Sequence, residues 1–135
     1  MASEPILRVE EVRKWFPVRS GLLSFRQPSR WVKAVDNVSF EIEKGSSIAI
    51  AGESGCGKTT LARTILRLIE PSGGAAYFKG ENIFEMNRLE LNELRLKMQL
   101  IFQNPFEVLD PRHTVIDLIG EGLSIHKLED SDEVL

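Results

Sequence analysis

Eight consecutive residues, Gly52-Glu53-Ser54-Gly55-Cys56-Gly57-Lys58-Thr59, match the pattern Gly-x-x-x-x-Gly-Lys-[Ser/Thr]. Each residue type there has work to do in holding a nucleoside triphosphate. The glycines let successive backbone N–H groups turn inward and make a nest for phosphate oxygens. A helix starting directly after the loop adds its partial positive charge. Lys58 is placed to bridge the β- and γ-phosphates, the Thr59 hydroxyl to ligate Mg²⁺, and Thr60 to reach the β- or α-phosphate. The candidate nucleotide-binding residues are therefore Gly52, Ser54, Gly55, Cys56, Gly57, Lys58, Thr59 and Thr60. Cys56 stands where such a loop needs only a small side chain. A glycine-rich turn that binds nothing would share the composition but not the flanks.

The flanks are those a phosphate loop needs. Ser46 to Ala51 is small and aliphatic with little alternation, the pattern of a strand buried on both faces. Thr59 to Ile69 carries Leu61, Ile65, Leu68 and Ile69 at helical spacing, and Pro71, Gly73 and Gly74 end that helix. Upstream, Ile6 to Val12 reads as a short strand, and Trp31 to Ile42 as a strand or a bent pair. Between them, the stretch after Trp15-Phe16-Pro17, rich in Arg, Ser, Gly and Pro up to Arg30, reads as a surface loop or insertion. Downstream, Ala75–Lys79 and Asn82–Phe84 suggest a hairpin around Gly80. Asn87 with Glu90 forms a capping box opening a helix to about Lys97. Met98 to Phe102 reads as a further apolar strand, broken by Gln103-Asn104-Pro105. Thr114 to Ile125 has a helical pattern despite Gly120 and Gly122, and the tail Glu129–Glu133 is acidic.

Length and composition narrow the class. At 135 residues, with 42% hydrophobic and 27% charged residues, the chain suits one modest globular domain. A net charge of −3 argues against a nucleic-acid binder, which shows a basic stripe. Cys56 is the single cysteine, so no internal disulfide forms, and a reducing compartment is expected. No secretory signal is visible, and no apolar run is long enough to cross a bilayer, so any membrane span has to come from another subunit.

Taken together, the chain resembles the ABC transporter ATPases. Glu53-Ser54-Gly55-Cys56-Gly57-Lys58 is a form of the loop common in that family, and Gln-Leu-Ile-Phe-Gln-Asn-Pro, residues 99–105, looks like its Q-loop segment. Three further stretches resemble the oligopeptide and dipeptide importer branch: Trp15-Phe16-Pro17-Val18, the run Val32 to Phe40, and Val108-Leu109-Asp110-Pro111-Arg112. The resemblance implies an α/β fold, a P-loop core with an attached antiparallel β subdomain to about residue 104. The Q-loop and the start of a helical subdomain would occupy about 103–135. It implies that Phe16, or its neighbour Trp15, stacks on adenine. It implies that Gln103 reaches Mg²⁺ and the attacking water and contacts the membrane partner. ATP and Mg²⁺ are the implied ligands. The implied partners are a second ABC ATPase, two transmembrane permeases and, indirectly, a solute-binding protein, at the cytoplasmic face of the membrane. Arg112 and His113 read as surface groups.

Hydrolysis in this family needs more than these residues offer. The chain contains no Leu-Ser-Gly-Gly-Gln signature, no hydrophobic strand ending in Asp-Glu and no later switch His; Asp110, Asp117, Asp130 and Asp132 follow no apolar strand. The expectation is a fold incomplete at its C-terminus. Its alternative functional form is a truncated nucleotide-binding module that does not hydrolyse ATP.

Overall fold

The computed structural model describes residues 4–18, 30–104, 106 and 109–126. The insertion before Arg30, Pro105, Val108, Asp130, Asp132 and the acidic tail lie outside these residues. The chain divides into two compact units, residues 1–98 and 99–135.

The first unit is built on a four-stranded antiparallel sheet. Strands β1 (Leu7–Val18), β2 (Arg30–Ile42), β3 (Gly73–Phe78) and β4 (Glu81–Asn82) lie in the order β2-β1-β3-β4. The expected first strand is thus longer, running on through Trp15 and Phe16. The second is one strand of 13 residues rather than a pair. Pairing starts at Leu7↔Ile42 and slips three times before Phe16↔Val32. Glu11 and Asn37, both at positive φ, sit at these irregularities. The Ser39 hydroxyl accepts from Glu11 N at 2.8 Å, and Arg13 donates to Asn37 Oδ1 at 2.8 Å, so the interrupted ladder is patched by side chains. The slip has a packing consequence: Leu7 and Val9 face the core, and one extra residue brings Val12 rather than Glu11 onto the same face.

Helix α1 (Lys58–Ile65) buries Leu61, Thr64 and Ile65 against this sheet, and the Thr64 hydroxyl is satisfied by Thr60 O at 2.7 Å. With Leu7, Val9, Val12, Val35, Ala76, Ile83 and Leu94 they form the core. The helix stops four residues before the expected Ile69. Arg67 adopts φ 48°, Leu68 N donates to Arg63 O (2.9 Å) and Arg67 N to Thr64 O (3.0 Å). That is a Schellman ending with arginine where glycine is usual. The Arg67 guanidinium holds it in place, donating to the carbonyls of Ile83 and Met86 and to Glu70.

The hairpin is present, its two-residue turn Lys79-Gly80 at φ 51° and 85°, as a turn matching the strand twist requires. Helix α2 (Arg88–Lys97) opens with the expected capping box, in which the Asn87 side chain accepts from Leu89 N and Glu90 N while Glu90 returns to Asn87 N.

Two expected strands are absent. Ser46–Ala51 and Met98–Phe102 are in no strand, and Ile48, Ile50 and Ile101 are exposed. A strand apolar on both faces gains its ladder and its burial only from neighbours, and no described segment pairs with either. Among the described residues the sheet is therefore antiparallel throughout.

In the second unit, helix α3 (Val115–His126) realises the expected pattern through Gly120 and Gly122. The Thr114 hydroxyl and N–H both bond Asp117, closing its N-terminus. Val115, Ile116, Ile119 and Ile125 stand exposed.

Candidate functional site

The loop Gly52–Gly57 joins directly to α1 and takes its shape from local geometry. Cys56 N donates to Glu53 O (3.3 Å) and Leu61 N to Gly57 O (2.8 Å). Gly57 is the N-cap of α1, at φ 101°, ψ 0°. A Cβ there would lie 2.1 Å from Ala34 O, so backbone conformation and space both require glycine. The same contact brings β2 against the loop.

No side chain caps α1 and its first turn carries no acidic residue. That leaves the helix N-terminus suited to an anion. Lys58 Nζ donates to Gly52 O (2.8 Å) and Glu53 O (2.7 Å), and lies 3.4 Å from Cys56 Sγ. The loop is thus folded around its own cation. Two carbonyls occupy the ammonium, and phosphate oxygens are the stronger acceptors that can take their place. Thr59 is exposed beside it and Thr60 half-buried.

A cavity of about 440 Å³ opens beside the loop, between Val38 and Phe40 of β2, Ile48 and Ile50 before the loop, and Leu61 of α1. Lys58, Lys33 and Asp36 also line it, and Phe16 does not. Phe16 lies farther along β1, 39% exposed, with Lys14 Nζ 4.8 Å from its ring centre. Its neighbour Trp15 is fixed. The indole Nε1 donates to Asp36 Oδ1 (3.0 Å), Lys33 Nζ sits 4.7 Å over the ring, and Lys33 donates to Asp36 Oδ2 (3.1 Å). The Lys33 ammonium, helped by the indole N–H, holds the Asp36 carboxyl below its ordinary value. Lys33, Ala34 and Asp36 are not among the site residues expected from the sequence. They sit in the run Val32 to Phe40, which reads as strand and carries the branch resemblance but gives these residues no role, and the register slips near Asn37 decide where they point.

Among the described residues no cluster of three His, Cys, Asp or Glu could hold a metal ion. Mg²⁺ takes one or two protein oxygens and draws the rest from phosphates and water, which a single exposed hydroxyl such as Thr59 fits. Gln103 belongs to the second unit, exposed on a bend. In the same unit Arg112 forks onto Asp110 (2.6 and 3.0 Å) and holds its carboxyl at about 2. Arg112 is 85% exposed, a surface group as expected.

The ABC transporter family model matches residues 35–135. The chain is 44% identical to the oligopeptide transport ATP-binding protein AppF of Bacillus subtilis (strain 168), over 93% of this chain and 38% of AppF. It is 51% identical to OppF, named likewise and from the same organism, over 77% of this chain and 34% of OppF. The chain thus spans well under half the length of these relatives. Among solved structures, the dimeric MJ0796, a bacterial ABC transporter cassette, superposes with a TM-score of 0.69 at 22% identity, covering 89% of this chain and 47% of that one. At that identity the likeness concerns the fold.

Proposed function

The chain belongs to the ABC transporter family, and from that premise we propose that it is an ATP-binding subunit serving uptake of peptides or a related solute. The observation that carries this reading is the loop closed around Lys58, with Gly57 seated on Ala34 and the uncapped start of α1 behind it. Lys58 exchanges the Gly52 and Glu53 carbonyls for the β- and γ-phosphates. The backbone N–H groups of the loop and first turn receive the remaining phosphate charge. Thr59 is the residue for Mg²⁺, which supplies charge neutralisation between the phosphates when bound, and Gln103 is the second candidate ligand. The names of the curated relatives, oligopeptide transport ATP-binding proteins, support the solute class.

Permease subunits are the membrane partners of this reading; no described helix is long and apolar enough to cross a bilayer. The working assembly we infer is a pair of such ATPases on two permeases, at the cytoplasmic face. These 135 residues place no water-activating carboxylate after an apolar strand, so the chain alone is expected to bind Mg-ATP without turning it over.

Isothermal titration of the chain with Mg-ATP, alongside phosphate-release kinetics, tests this. Saturable binding is expected, weakened at least about tenfold by Lys58→Ala through loss of a charge-assisted bond, with no turnover in either protein. A folded chain that binds no Mg-ATP refutes the site. Turnover abolished by Lys58→Ala refutes the argument that the carboxylate is missing.

A further inference from the structure

Lys33 lies on β2 between the Gly52–Gly57 loop and the β1 aromatics. A nucleotide whose phosphates sit in the loop and whose base stacks on the β1 aromatics has its sugar and first phosphate between those ends. Strand β2 bridges the same gap: Val32 pairs with Phe16, Lys33 pairs with Trp15, and the Ala34 carbonyl abuts Gly57. Two residues of strand span roughly 7 Å, the scale of a sugar and one phosphate. The middle residue is cationic and lines the same cavity as Lys58. Its ammonium is already localised, 3.1 Å from Asp36 Oδ2 and 4.7 Å over the Trp15 ring. Asp36 also lines that cavity and carries the charge a phosphate avoids.

Resting on the nucleotide-binding reading above, we infer that Lys33 is a second cationic contact for the nucleotide, at its α-phosphate, and that Asp36 competes with that phosphate for the ammonium. Lys33 thereby sets affinity for the part of the ligand that ATP and ADP share, whereas Lys58 reads the terminal phosphates. The Asp36 carboxylate lowers affinity for both nucleotides alike, because freeing Lys33 from it precedes the contact.

The test is titration of Mg-ATP and Mg-ADP into the chain and into Lys33→Gln, Asp36→Asn and Lys58→Ala. Lys33 and Asp36 are exposed, and circular dichroism with thermal melts establishes that the variants are folded. Lys33→Gln is expected to weaken both nucleotides by the same factor, about three- to tenfold for a partly exposed charge-assisted contact. Asp36→Asn is expected to tighten both by about two- to fivefold. Unchanged affinity in Lys33→Gln overturns the inference, as does a loss confined to ATP. Weakening by Asp36→Asn also overturns it, because it would mean that the pair merely holds the Trp15 ring. Failure of the parent reading looks different: no binding by the unmodified chain, or no effect of Lys58→Ala.

Discussion

Gly57→Ala puts the physical basis of the phosphate site to its sharpest test. The added Cβ meets two independent penalties. At φ 101° an L-residue is strained by about 1–3 kcal/mol. The Cβ would also stand 2.1 Å from Ala34 O and 3.3 Å from its carbon, which are backbone atoms and not a pliable side-chain end. Relieving that overlap moves β2 or the loop, a displacement of the kind that costs about 1–3 kcal/mol in packed interiors. Gly55→Ala separates the two penalties, because Gly55 is also at positive φ (80°) but a Cβ there meets nothing within 4 Å. Urea denaturation of the three proteins should place Gly57→Ala about 1–3 kcal/mol below Gly55→Ala at unchanged m-value. Titration should show Mg-ATP affinity lowered more than about tenfold in Gly57→Ala. Equal stability and equal affinity in the two variants would refute the claim that β2 forms one wall of the loop.

Arg67→Ala should destabilise the first unit by about 1–3 kcal/mol in urea, because the carbonyls of Ile83 and Met86 lose their donor. Arg67→Gly should be milder by about 1 kcal/mol, since glycine adopts φ 48° freely. Asp110 should keep its charge to about pH 2 in a carbon-detected NMR titration, and Arg112→Ala should return its midpoint toward 3.8. The depressed value means that the pair favours the folded form above the ordinary carboxyl range and stops doing so as pH falls through about 2. Iodoacetamide should modify the exposed Cys56 and block nucleotide binding, with Mg-ATP slowing the reaction. Its sulfur lies 3.4 Å from Lys58 Nζ, so an added group crowds the phosphate position. Intact mass and titration read both effects.

What the sequence made legible were the features encoded within a few residues. The loop pattern, the Asn87–Glu90 capping box and the turn at Gly80 each carry their own local chemistry, and each formed where expected. The helix ending at Arg67 was hidden because the usual signal is glycine. Here a left-handed arginine is held by carbonyls that lie 16 and 19 residues further along the chain. The cluster of Lys33, Asp36 and Trp15 was hidden for a related reason. Its members come together only through a strand pairing whose register slips, and residue pattern alone does not give the slips.

The two missing strands bear on how the site is made. Ser46–Ala51 runs straight into the phosphate loop, yet it forms no ladder while the loop itself is fully shaped. In this structure the loop holds its bonded shape with no paired strand behind it. Its constraints are the start of α1, the internal bonds of Lys58, and the seat of Gly57 on Ala34. Two of these are local in sequence, and the third needs only β2, whose pairing to β1 lies within the same unit. Water activation is different on the reading proposed above, because these 135 residues place no carboxylate for it after an apolar strand. A site assembled in this way would have nucleotide affinity without turnover. On that reading, substitutions at Gly57 and Lys58 should lower Mg-ATP affinity in a chain that turns over no nucleotide.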